Sequence, residues 1–179
     1  RSYRAHGDIN RRLNSIAYDF TYDTNLNRFN NGFDKISGMP ARPLPDLSTE
    51  LGSSRSSGDD IYDSDYAGER PKLGIVCGGV SRQYALEAIE LIEREAEAVG
   101  ALVPSYRFLQ IGTPYPFPGR IARRFLKDLS DVLVFEELDS VIEEELLKVS
   151  GVSFLSPNIH GKLTNEANDR GENSTEDAA

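Results

Sequence analysis

The chain has 179 residues, room for one domain of ordinary size but not for two with linkers. Its 20 Lys and Arg stand against 29 Asp and Glu, a formal net charge of -9 that disfavours nucleic acid or an anionic membrane as the main partner. The single Cys excludes an intrachain disulfide, a four-thiolate zinc site or an iron–sulfur cluster held by this chain alone.

Residues 1–38 are rich in Asn, Asp and Arg, with aromatic side chains at Tyr3, Tyr18, Phe20, Tyr22, Phe29 and Phe33. Within them Leu13, Ile16, Ala17 and Phe20 recur at helical spacing and predict one short amphipathic helix over 11–22. A lone helix of that length is marginal in water and needs something to pack on. Residues 39–71 carry Pro40, Pro43 and Pro45, then a Ser/Gly run at 52–58 and an acidic stretch at 59–65. Such a composition buries too little apolar surface to offset the entropy of ordering, and it reads as a disordered linker. No apolar run approaches the roughly 20 residues that span a bilayer, and no signal-peptide core is seen, so the expected setting is the cytoplasm. Arg1 in place of Met and a polar, acidic tail at 163–179 suggest an excised or truncated piece. In that tail Asn173-Ser174-Thr175 matches a glycosylation acceptor, read as coincidence without a secretory signal.

Residues 72–162 are regular. Leu73-Gly74-Ile75-Val76-Cys77 predicts a strand that ends on Gly78-Gly79, with Ser81 as N-cap of a helix whose inner face is Ala85, Ile89, Ile92, Ala96 and Val99, stopped at Gly100. Tyr106 to Ile111 predicts a second strand, closed by Gly112-Thr113-Pro114. Pro118 suits the first turn of a helix with the stripe Ile121, Phe125 and Leu129. Asp131 to Phe135, with the run Val132-Leu133-Val134-Phe135, is the strongest strand signal and apolar enough to be central in a parallel sheet. Asp139 is placed to cap a helix carrying Ile142, Leu146 and Val149, ended by Gly151, and Val152 to Leu155 offers a short fourth strand extending toward Ile159. Strands alternating with helices indicate a small open parallel α/β sheet with helices on both faces, flanked by disordered segments.

The chemistry this pattern offers is thin. The turn at Gly78, Gly79 and Ser81 presents backbone N–H groups at a helix N-terminus and is a candidate anion site, although it lacks the G-x-G-x-x-G and G-x-x-x-x-G-K-S/T spacings. Cys77 at the strand end reads as a packing thiol rather than a reactive one. Glu136 and Glu137 stand at the carboxyl end of the strongest strand, where open α/β sheets place ligands, but adjacent strand residues point to opposite faces, so structural bonding to loop N–H groups is the favoured reading. Arg120, Arg123, Arg124 and Lys127 form a basic helix face that suits an acidic partner or a CoA phosphate, or is simply solvated. His160 and Lys162 have no carboxylate or nucleophile at useful spacing, and His6 is alone. No catalytic residue and no metal ligand set is identified.

Read in order, Lys72-Leu73-Gly74-Ile75-Val76-Cys77-Gly78-Gly79-Val80-Ser81-Arg82-Gln83-Tyr84, Leu109-Gln110-Ile111-Gly112-Thr113-Pro114-Tyr115-Pro116-Phe117-Pro118, Val132-Leu133-Val134-Phe135-Glu136-Glu137-Leu138-Asp139 with Ile142-Glu143-Glu144, and His160-Gly161-Lys162 resemble successive motifs of the alpha subunit of indolepyruvate:ferredoxin oxidoreductase. The resemblance covers about half of the chain, and Leu26-Asn27-Arg28 is similar to a segment preceding this domain in the family. It implies a transketolase C-terminal-like domain. For the parent protein it implies oxidative decarboxylation of aryl-pyruvates to acyl-CoA, with thiamine diphosphate and Mg, 4Fe–4S clusters, CoA as co-substrate and ferredoxin as electron acceptor. The implied partners are the remaining domains of the alpha subunit and the beta subunit. The family's magnesium–diphosphate motif, its activating glutamate and its cluster cysteines have no counterpart here, so no cofactor is expected in this segment and none of the parent's catalytic residues carries over. Ser140 stands where the family often has Pro, and the insertion before Lys72 is long. The alternative is a free-standing flavodoxin-like module that binds an anionic ligand or a partner protein.

Overall fold

The computed structural model describes residues 29–44 and 70–166. The predicted helix at 11–22, most of the predicted linker, His6 and the tail beyond Glu166 lie outside the described residues. Two strands come first, β1 (Asn31–Lys35) and β2 (Arg42–Pro43). They are followed by β3 (Leu73–Gly78), α1 (Ser81–Val99), β4 (Tyr106–Ile111), α2 (Gly119–Leu126), β5 (Asp131–Phe135), α3 (Val141–Val152) and β6 (Asn158–His160).

One six-stranded sheet has the order β2-β1-β4-β3-β5-β6. The last four strands in that order are mutually parallel, as the alternating pattern predicts, while β1 runs antiparallel to β4 and to β2. β3 is central: Ile75 lies opposite both Phe108 and Leu133, and Val76 opposite both Leu109 and Val134. Because side chains alternate across a sheet, this register sorts them into two layers. Val76, Leu109, Ile111, Val132 and Val134 meet Ala122, Phe125 and Leu126 of α2 and Ile142 and Leu146 of α3. On the other face Ile75, Cys77, Tyr106 and Phe108 meet Ala85 of α1, with Phe33 of β1 stacked on Phe108 at a centroid distance of 5.1 Å. The fold is α/β with helices on both faces, two on one and one on the other among the described residues.

Several local expectations need correction. α1 starts at Ser81, so that Val80 and not Ser81 is its N-cap, and the Val80 side chain makes no cap bond. Only the first half of its apolar stripe is covered: Ala85 and Ala88 are buried and Ile89 half-buried, but Ile92 and Val99 are exposed. Among the described residues the second half of the helix is only partly covered, and periodicity reports a face without saying whether anything covers it. Gly100 ends α1 as expected, in the left-handed conformation at φ 69° that favours glycine. α2 stops at Leu126, so Leu129 joins the core from the following turn rather than from the helix. α3 runs one residue past Gly151 to Val152, and Val152 to Leu155 is not a strand. The fourth parallel strand is the shorter β6, paired to Asp131, Val132 and Leu133.

β1 was not anticipated, and one charged pair explains its place. Arg107 stands in β4 between Tyr106 and Phe108, on the α2 side of the sheet, where its side chain is almost fully buried. Its Nε donates to Asp34 Oδ1 of β1 at 2.7 Å, and Nη1 donates to the Phe125 and Lys127 carbonyls at 3.0 and 3.1 Å. The guanidinium thus satisfies the open C-terminal carbonyls of α2 and fixes the edge strand at once.

Candidate functional site

In an open α/β sheet the ligand crevice lies beyond the carboxyl ends of the strands, where the winding changes direction. Here β4 is added on one side of β3 and β5 on the other, so that point falls between the ends of β3 and β5. Four of the motifs singled out above come to this edge: Gly79-Val80 after β3, residues 112–118 after β4, residues 136–140 after β5 and Gly161-Lys162 after β6.

The β5 loop is held by its own carboxylate. Glu136 is buried, and Oε2 and Oε1 accept from the backbone N–H groups of Ile142 and Glu143 at 2.7 and 3.0 Å. These are open donors in the first turn of α3, so Glu136 caps that helix, correcting the assignment of the cap to Asp139; the N-cap position itself is Ser140, which makes no side-chain cap bond. Burial raises the pKa of the Glu136 carboxyl, while the two amides and Lys162 pull it the other way. Glu137 is half-buried on the opposite side of the chain, so the two carboxylates do not converge.

Lys162 reaches back from the β6 loop, and its Nζ donates to the Leu138 carbonyl at 2.8 Å. Glu143 completes the lock. It is fully buried, Oε2 accepts from Leu163 N–H at 3.0 Å, and Oε1 has no hydrogen-bond partner. A Cβ on Gly161 would lie 2.6 Å from the Glu143 carboxyl carbon, so a side chain there displaces the buried Glu143 carboxylate. The Glu-Glu-Leu-Asp and His-Gly-Lys motifs are therefore two sides of one joint.

At β3, Gly78 is buried and a Cβ there would meet Ile142 Cδ1 at 2.4 Å, so α3 presses on the strand end. Gly79 turns outward at φ 57° with open space around it, and Ser81 is buried as the first residue of α1. The three anion-site candidates are thus neighbours but face different surroundings. Cys77 lies wholly inside the sheet, where burial pushes its thiol pKa up, in keeping with a packing role.

After β4, Asn30 secures the loop, a role that its sequence does not announce. Its Oδ1 accepts from Gly112 and Thr113 N–H at 3.0 and 3.1 Å, and its Nδ2 donates to Thr113 Oγ1 at 2.7 Å. The basic residues Arg120, Arg123, Arg124 and Lys127 lie on or just after α2, and none of the four is left without a partner.

His160 is not isolated. Its Nδ1 lies 2.5 Å from Glu166 Oε2 and its Nε2 lies 3.2 Å from Asp131 Oδ1. The bonds to Glu166 and Asp131 raise its pKa, Asn158 and His160 lower that of Asp131, and His160 and Thr164 lower that of Glu166. Asp131 is 29 positions away and Glu166 six, in a turn that no periodic pattern announces. The cluster sits at the β6 edge, with His160 partly exposed.

Among the described residues no group of three or more His, Cys, Asp and Glu could hold a metal ion, and no helix is long and apolar enough to cross a membrane. The single cysteine of the chain, which lies in the core, cannot supply the thiolates that an iron–sulfur cluster needs.

No family model matches the chain. About half of it is similar to curated proteins of one name. It is 36% identical over 96 residues to "Indolepyruvate oxidoreductase subunit IorA" of Methanothermobacter thermautotrophicus, covering 54% of this chain and 14% of the relative. Against the protein of the same name in Methanothermobacter marburgensis the identity is 38% over 91 residues, 51% of this chain and 13% of the relative. With that of Pyrococcus abyssi it is 32% over 94 residues, 52% and 13%. The resemblance drawn from the motifs stands: this half of the chain is similar to a segment of an oxidoreductase subunit, and the match spans about one seventh of those relatives.

Proposed function

We propose that the chain carries the transketolase C-terminal-like domain of a 2-oxoacid (indolepyruvate):ferredoxin oxidoreductase alpha subunit, with residues 72–162 as the domain proper and β1 and β2 added to its edge. Its part is structural and interdomain, and the isolated chain is inactive. The observation that carries this reading is the fate of the motif side chains. Glu136 binds α3, Glu143 Oε2 the turn at Leu163 and Lys162 the Leu138 carbonyl, which supports a part in shaping the carboxyl edge. In the parent, thiamine diphosphate with Mg supplies the carbanion chemistry of oxidative decarboxylation, and 4Fe–4S clusters pass electrons to ferredoxin. CoA takes the acyl group. The proposed partners are the other domains of the alpha subunit and the beta subunit, in the cytoplasm.

The test is direct. Titrating the chain with thiamine diphosphate and Mg in a calorimeter is expected to give no saturable heat, and supplying a 2-oxoacid, CoA and a viologen dye is expected to give no dye reduction. Saturable binding or turnover would sink the assignment. One observation favours the alternative of an anion-binding, flavodoxin-like module: Gly79, beside the N-terminus of α1, turns outward with open space around it. Phosphate-dependent shifts of the Gly79 and Ser81 amides, weakened in Gly79→Asn, would support that module.

A further inference from the structure

His160 is the last residue of β6 and leads directly into a turn over residues 161–166. The turn closes on itself: Asn165 N–H donates to the Lys162 carbonyl at 3.1 Å and Glu166 N–H to the Gly161 carbonyl at 3.0 Å. It also grips the carboxyl edge of the sheet. Leu163 N–H donates to the Glu143 carboxylate, and Lys162 Nζ donates to the carbonyl of Leu138, a residue held at φ 61° in the left-handed region that leucine rarely adopts. Whatever steadies the turn therefore steadies the loop after β5.

The imidazole ties the turn to the sheet through both of its nitrogens. Nδ1 meets Glu166 Oε2 at the end of the turn, and Nε2 meets Asp131 Oδ1 at the start of β5. Among the described residues these two carboxylates are the charged groups that face the ring, and Asn158, on the same strand as His160, donates its Nδ2 to Asp131 Oδ1. A carboxylate only accepts, so both contacts are hydrogen bonds only while both ring nitrogens carry a proton, as they do in the imidazolium. A neutral ring has released one of those protons to water and turns a lone pair toward one carboxylate. Whichever nitrogen keeps its proton, the link from β5 through the ring to Glu166 is cut.

We propose that His160 is a pH-operated latch that, as the imidazolium, clasps the turn at residues 161–166 to β5 and, through Lys162 and Leu163, steadies the loop at Leu138. It is closed below the pKa of the ring in the folded chain, which the two carboxylates raise above the ordinary 6.5, and opens as pH rises through that value. The latch stands independently of the enzyme reading.

NMR of the whole chain between about pH 5 and pH 9 tests it, with the His160 ring followed alongside. The methyl signals of Leu163 and Leu138 are expected to shift with the midpoint of the ring. Protection of the Leu163 and Glu166 amides, corrected for the intrinsic pH dependence of exchange, is expected to fall about threefold across that midpoint while the β3 amides keep theirs. In Glu166→Gln the new side-chain amide accepts from the imidazolium and donates to the neutral ring, so the clasp survives deprotonation. The ring of that variant is expected to titrate without the Leu163 and Leu138 signals following it. His160→Gln is expected to leave those signals flat over the same range. Both substitutions fall on partly or fully exposed side chains, outside the core. Leu163 and Leu138 signals that stay still while the ring titrates, that follow a midpoint other than the ring's, or that still follow it in Glu166→Gln would each overturn the proposal.

Discussion

Arg107 and Asp34 form the most consequential single contact, because both are buried and each is the other's counter-charge. Removing Asp34 as Asp34→Ala leaves a guanidinium in the core without its carboxylate, and is expected to cost about 3–5 kcal/mol in urea denaturation. The double variant Arg107→Met/Asp34→Leu is expected to recover most of that loss, since a well-packed apolar pair avoids desolvating either charge. His160 works at the surface and through pH. Its folded pKa is raised above the ordinary 6.5, so its contribution is complete below that value and is lost as pH rises through the folded pKa. Asp131 and Glu166 are held below their ordinary 3.8 and 4.5, so their share is complete above those values and is lost as pH falls through the folded ones. The joint contribution therefore peaks between the carboxylate and imidazole values. An NMR titration of the His160 ring is expected to show a midpoint above 6.5 that drops in Glu166→Gln. Neither contact could be read from sequence: an arginine inside an apolar strand signals a buried partner, but the partner lies 73 positions away.

At the scale of elements, α3 shows how sequence reading goes astray. Asp139 and Ser140 are the residue types that cap helices, yet neither makes a cap bond, and Glu136 reaches across from the end of β5 to do so. Local propensity identified the right function and the wrong residue, because a longer carboxylate six and seven positions before those amides commands them. Glu136→Ala is expected to cost about 1–2 kcal/mol, with the loss concentrated in faster amide exchange across the first turn of α3. Asp139→Ala is expected to change stability little by comparison. Elsewhere, what was legible were long apolar runs and Gly stops: β3, β4, β5 and the end of α1. What was not legible were the three residues of β6, too short for any period, and β1, whose Asn31-Gly32-Phe33-Asp34-Lys35 has no apolar alternation because it pairs through a buried charge.

For the molecule as a whole, the parallel α/β architecture followed from the alternation of strands and helices, and the convergence of four distant motifs on one sheet edge followed from the parallel direction of their strands. The roles of those motifs did not follow, since a buried carboxylate that caps a helix and one that serves a substrate look alike in a sequence. β1 is tied to the rest by its ladder to β4, by Asp34 and by Asn30. Its amides are accordingly expected to exchange with the same free energy as those of β3, as one cooperative unit, and Asp34→Asn is expected to release β1 selectively. The two outer strands carry a further consequence. β2 is two residues long and ends on Pro43, and β6 is three residues long. A strand that short exposes too few unpaired amides to template a foreign chain, and proline removes one of them altogether. Among the described residues both margins of the sheet are blunted against fibril growth, and a variant that lengthens either strand is expected to aggregate more readily.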